Sequence, residues 1–112
     1  MKYRKLGKTG LETSVIGLGT DQFYGEWGQS FSQTSVNKII EKSHELGINF
    51  IDTAECYGDH VSESFIGNAI KNRDDWIIAT KFGHKYHGFQ KPLTTHFDVE
   101  HIKEHLENSL KS

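Results

Sequence analysis

The chain has 112 residues, and its 13 Lys+Arg against 15 Asp+Glu leave a formal net charge of −2. That length suits one small domain, and the near balance of charge argues against a general nucleic-acid binder, which carries a clustered basic excess. No run of about 18 apolar residues offers a membrane span, the basic Met1–Lys5 start lacks the apolar segment of a secretory signal, and the lone Cys56 cannot close an internal disulfide, so a reducing, cytoplasmic setting is expected.

In chain order, Tyr3–Leu6 and Glu12–Val15 flank the turn-rich Gly7-Lys8-Thr9-Gly10, which reads as a β-hairpin. Val15–Gly19 reads as a short, fully buried strand whose glycines allow close approach of a backbone or a ligand. An aromatic, glycine-broken loop runs from Thr20 to Ser32. A helix follows, with N-cap candidates at Gln33, Thr34 and Ser35, an apolar face of Val36, Ile39, Ile40 and Leu46, and a stop at Gly47. Ile48–Asp52 is the next strand. A second helix starts near Ser62 and turns Phe65, Ile66, Ala69 and Ile70 inward. Trp76–Lys81 is a third strand, and Phe82–Phe97 reads as a loop rich in Gly, His and aromatic residues. The final helix is capped by Asp98 and carries the stripe Val99, Ile102, Leu106 and Leu110.

Strand–helix alternation of this kind points to an α/β fold with a parallel sheet and right-handed crossovers. Three parallel strands leave two open edges, and a helix that buries a stripe against a sheet should lead on to a fourth strand. The expected domain, residues 1–112, is therefore an incomplete barrel, with a hairpin over 1–15 and βα units over 15–112. Its open edges invite self-association or a complementing chain.

Chemistry concentrates at two strand ends. Ile48–Asp52 ends on a carboxylate, Trp76–Lys81 ends on an ammonium, and Tyr57 lies in the loop between. The C-terminal ends of parallel strands are where α/β proteins place reacting groups. A phenol ionises near pH 10; an adjacent ammonium favours the phenolate, and a carboxylate can hold that ammonium in place. Asp52, Tyr57 and Lys81 thus read as one general-acid unit. Gly17-Leu18-Gly19 does not extend to a dinucleotide fingerprint, because the third glycine position is Gln22. His84/His87 and His101/His105 have suggestive spacings, but no third ligand accompanies either pair, so they read as surface histidines and no metal is expected. Cys56 reads as an inert loop thiol unless Lys81 activates it.

Three ordered motifs carry a resemblance: YRKLGKTGLETSVIGLGT from Tyr3, GINFIDTAECYGDHVSESFIGNAIK over Gly47–Lys71, and WIIATKFG over Trp76–Gly83. The chain resembles the N-terminal part of the aldo-keto reductases, in the bacterial and potassium-channel-β-subunit-like branch. The resemblance implies part of a (β/α)8 TIM barrel and NADPH-linked reduction of aldehydes or ketones to alcohols. It makes Tyr57 the general acid, Lys81 the cation that eases its proton release, and Asp52 the partner of Lys81. It assigns Gly19, Thr20, Asp21 and Asp52 to the cofactor, although Asp21 replaces the aromatic residue common at its position. The family's catalytic His lies at the end of the fourth strand, beyond Ser112, so these residues alone are expected to be inactive. Two rival readings are a cofactor-holding regulatory subunit with little turnover and a half-barrel that needs a partner chain.

Overall fold

The computed structural model describes residues 1–112. An antiparallel hairpin opens it: β1 (Tyr3–Lys5) pairs with β2 (Glu12–Ser14), with Tyr3 opposite Ser14. The hairpin is fastened to the start of a later strand. Asn49 accepts from the Ser14 amide at 2.7 Å and donates to the Glu12 carbonyl at 2.9 Å, while the Tyr3 hydroxyl donates to the Gly47 carbonyl at 2.8 Å. It therefore closes the end of the sheet opposite the Asp52 strand end.

Three short parallel strands form the sheet: β3 (Leu18–Gly19), β4 (Phe50–Asp52) and β5 (Ile77–Ala79), in the order β3-β4-β5. Leu18 stands opposite Ile51, and Ile51 opposite Ile78. The expected Val15–Gly19 strand is corrected in length and burial: only its last two residues pair, and Ile16 is 58 % exposed. The reason is its place at an edge, bonded on one side only. Gly17 does meet a close neighbour, since a Cβ there would lie 2.8 Å from the Phe50 ring.

Helix α1 (Gln33–Glu45) is capped one residue before the expected positions. Ser32 is the N-cap, and it forms a reciprocal capping box with Ser35, at 3.2 Å and 2.9 Å. Val36 and Ile40, four residues apart and so on one helical face, are buried against the sheet side. Gly47, with φ +80°, takes the left-handed conformation that ends the helix. Helix α2 (Val61–Ala69) has His60 as its N-cap, at φ 68° and without a side-chain cap bond. Ser62 and Glu63, polar residues of its first turn, are buried. The core is Phe23, Val36, Ile40, Ile51, Ile66 and Trp76, with Leu18, Phe31, Phe65 and Ile78 packed around it.

Beyond β5 the sequence reading needs two corrections. The Phe82–Phe97 segment contains a second hairpin, β6 (His84–Lys85) with β7 (Thr94–Thr95), whose two-residue strands are too short to show a period of two. Helix α3 (Val99–Lys111) is capped by Asp98 as expected, but it buries no residue. Val99 is 65 % and Leu110 79 % exposed. Leu106 and Leu110 instead line a cavity of about 360 Å³ shared with Ile66, Ile70 and Ile78. The pattern specified which face was apolar and not whether a surface was available to cover it.

Candidate active site

The ends of β4 and β5 and the loop between them bring the three predicted groups together. Lys81 Nζ donates to Asp52 Oδ1 at 2.5 Å and to the Thr53 carbonyl at 2.9 Å. The same ammonium lies 4.9 Å from the centroid of the Tyr57 ring. Partial burial works against the Lys81 charge, but the Asp52 carboxylate and the Tyr57 side chain outweigh it and raise the ammonium's pKa above its ordinary value. Lys81 and Asp52 are both about half exposed, so the pair is open to an incoming ligand.

Parallel register explains the convergence. Asp52 is paired with Ala79, so the residues just past both strands emerge side by side. The Thr53 amide donates to the Ala79 carbonyl at 2.9 Å and the Glu55 amide to the Lys81 carbonyl at 3.2 Å, which continues the strand pairing into the loops. Tyr57 then sits in a turn closed by its amide on the Ala54 carbonyl at 3.1 Å. Its ring is near-parallel to that of Tyr24, 6.4 Å away, and Tyr24 meets Tyr86 edge-on at 5.8 Å. The Tyr24 hydroxyl donates to Glu26; burial and that carboxylate push its pKa well above the usual phenol value.

The predicted cofactor residues behave differently from one another. Gly19 is exposed at the end of β3, and a Cβ there would meet no atom within 4 Å, which leaves an open strand end. Thr20 is fully buried; its amide and hydroxyl both donate to the Asp52 carbonyl, at 3.1 and 3.0 Å. Its role in the structure is to hold β3 against β4 and so to set the Asp52 backbone. Asp21 accepts from the Trp27 indole at 3.1 Å. Gly19 thus leaves an open strand end beside a half-exposed Asp52.

A cavity of about 240 Å³ adjoins the triad and is lined by Tyr57, Lys81, Ala54, Phe82, His84 and Leu93, among others. The largest cavity, about 440 Å³, lies between α1 and the end of α2 and contains none of the three groups. The smaller one is the cavity that both Tyr57 and Lys81 line.

Sequence reasoning missed two buried carboxylates. Glu55 is 2 % exposed; its Oε1 accepts from the Gly83 and His84 amides at 2.7 and 3.1 Å, and its Oε2 lies 3.0 Å from His105 Nδ1. It ties the Tyr57 loop to the residues just past Lys81 and to α3. Glu63 accepts from the Thr80 hydroxyl at 2.6 Å and the Ser109 hydroxyl at 3.0 Å, and pairs with His60 at 2.6 Å. The polar stretches around these residues gave no sign of burial, since their partners are mostly far away in the chain. Cys56 is not activated by Lys81: desolvation, with the Glu55 charge, pushes its thiol up. His96, Asp98 and His101 bring ligand atoms within 4.8 Å of one another, a grouping that neither histidine pair of the sequence contains.

The model of the aldo/keto reductase family matches residues 15–112. The chain belongs to the aldo/keto reductase family. It is 41% identical over 115 residues to aldo-keto reductase YhdN of Bacillus subtilis (strain 168), covering 99% of this chain and 34% of that protein. It is 33% identical to the L-galactose dehydrogenase of Arabidopsis thaliana, again over 99% of this chain and 34% of the relative. Among solved structures, the holo form of aldo-keto reductase AKR11C1 from Bacillus halodurans superposes with a TM-score of 0.83 at 33% identity, over 99% of this chain and 36% of that one. The chain thus spans about a third of the length of the curated relatives it matches. Its fold is the N-terminal part of a (β/α)8 barrel, with a hairpin followed by βα units. No helix is long and apolar enough to cross a membrane.

Proposed function

We propose that this chain supplies the proton-handling part of a nicotinamide-dependent carbonyl reductase, with NADPH as the cofactor, a small aldehyde or ketone as the substrate and the cytoplasm as the setting. The observation that carries the reading is the Lys81 ammonium, which joins the Asp52 carboxylate at one strand end to the Tyr57 ring from the adjoining loop. A bound nicotinamide would supply a hydride to the carbonyl carbon. Tyr57 donates its hydroxyl proton to the carbonyl oxygen, which takes up the charge displaced from the C=O bond. The phenolate left behind is stabilised by Lys81, and solvent returns the proton. Asp52 keeps Lys81 in position and balances its charge. Gly19, Thr20, Asp21 and Asp52 form the near edge of the cofactor seat, Thr20 acting through the Asp52 backbone.

The test is a chimera in which this chain replaces the matching third of Bacillus subtilis YhdN, assayed by NADPH consumption with a reactive aldehyde. Tyr57→Phe should lower turnover by about 10²–10⁴-fold while cofactor binding is retained. Unchanged turnover removes Tyr57 from the mechanism. The 112 residues tested alone should show no turnover, because they correspond to about a third of the relatives; clear turnover overturns that expectation. Tight cofactor binding with negligible turnover in the unmutated chimera would favour a regulatory, cofactor-holding role instead.

A further inference from the structure

We propose that His96, Asp98 and His101 form a binding site for a divalent transition-metal ion, with Zn²⁺ the ion that the donor set fits best. The three residues come from the end of the β6–β7 hairpin and the start of α3, and each offers one ligand atom within 4.8 Å of the other two. His101 Nδ1 lies 2.7 Å from Asp98 Oδ2, and the His96 and His101 rings are 4.6 Å apart at 33°. Ligand atoms about 2.0–2.1 Å from a tetrahedral zinc ion sit roughly 3.3 Å from one another. Small side-chain rotations bring the three donors to that spacing. Two imidazoles and one carboxylate suit an ion of intermediate softness rather than a hard one such as Mg²⁺.

The backbone holds this corner before any ion arrives. The His96 amide donates to the Gly83 carbonyl at 2.9 Å, and the His101 amide donates to Asp98 Oδ1 at 3.0 Å. Asp98 therefore uses one oxygen to cap α3 and points the other at His101. A metal ion takes the place of the proton shared by Asp98 Oδ2 and His101 Nδ1, and the cap stays intact. The Thr94 hydroxyl contacts His96 Nε2 at 3.0 Å and His87 Nε2 at 2.6 Å, which fixes the His96 ring as outer-sphere partners do in metal sites. A fourth position is left for water.

The site has a connection to the strand ends. His101 stacks on His105 at 6.2 Å, and His105 meets the buried Glu55 that holds the Gly83 and His84 amides. An ion here fastens the start of α3, a helix that buries no residue, to the segment that follows Lys81. None of its ligands belongs to the Asp52–Tyr57–Lys81 group, so the two proposals stand or fall separately.

The experiment is isothermal titration of the metal-stripped YhdN chimera carrying this chain with Zn²⁺ at neutral pH, paired with Co²⁺ as a spectroscopic substitute. The expected result is one ion per chain and a visible Co²⁺ absorption band. His96→Ala and His101→Ala should each weaken Zn²⁺ binding at least about tenfold and remove the band, whereas His44→Ala should leave both unchanged. Asp98→Asn is the variant that separates ligation from folding, because Asn caps a helix as well as Asp does. It should keep the helical circular-dichroism signal and still lose at least about tenfold in affinity. Absence of binding, or binding that survives His96→Ala and His101→Ala, overturns the site.

Discussion

Helices α1 and α3 are each 13 residues long, each is capped by a side chain, and each carries an apolar stripe. Their fates differ. In α1, Val36 and Ile40 are buried in the core; in α3 no residue is buried, and Leu110 is 79 % exposed. The difference lies in what each helix has to pack against. The stripe of α1 meets a core that includes Ile51, Ile66 and Trp76. That of α3 meets the rim of a cavity and polar anchors, Ser109 on Glu63 and His105 on Glu55. An amphipathic pattern states a demand for a surface; the neighbouring elements decide whether it is met.

The widest predicted contrast is between two truncations. Ile40→Ala in α1 should cost about 2–5 kcal/mol in urea unfolding, and Leu110→Ala in α3 should stay within about 0.5 kcal/mol. Equal costs would break the comparison. Next in size is the link between the halves. Glu55→Ala leaves the buried Gly83 amide and the partly buried His84 amide without their acceptor and takes the carboxylate away from His105, and an orphaned buried amide costs about 1–3 kcal/mol. Calorimetry should show a loss of that order, with α3 freed from the Tyr57 loop. A change near zero would mean that α3 is held by something other than Glu55.

A smaller effect sharpens the account of α1 itself. Ser32→Ala removes the capping box and should cost about 1 kcal/mol, read from the same urea transitions. The smallest prediction concerns reactivity. Because desolvation raises the Cys56 thiol above its ordinary 9.0, thiolate is scarce at neutral pH. Alkylation by iodoacetamide should remain slow at pH 7 and climb as pH rises through and beyond 9. A rate that levels off below pH 9 would show that Lys81, which pulls the other way, prevails.

The same contrast shows what was legible in the sequence. The strands that end at Asp52 and near Lys81 could be read because each is a compact apolar run that ends on a charge. Helix α1 could be read because its apolar spacing is regular and Gly47 marks its end. The Asp52–Lys81 contact followed from parallel order, since neighbouring parallel strands present their C-terminal ends together. Burial of Glu55 and Glu63 was not legible, because it depends on amides and hydroxyls up to 46 residues away. Nor was the β6–β7 hairpin, with two residues per strand. The His96–Asp98–His101 cluster was overlooked because the histidines were paired by helical spacing, whereas His96 joins from outside the helix. Thr20 was marked by its motif alone, and its bonds to the Asp52 carbonyl could not be read from the sequence, because that partner lies 32 residues away.

The central claim is that Asp52, Lys81 and Tyr57 act as one unit, and a double-mutant cycle on turnover tests it most directly. Asp52→Asn, Lys81→Met and the double variant would be compared in the YhdN chimera by NADPH consumption. Groups that work as a unit lose nearly as much singly as together, so the double variant should be close to the worse single variant. Losses that multiply would mean that the carboxylate and the ammonium act independently, and would contradict the account.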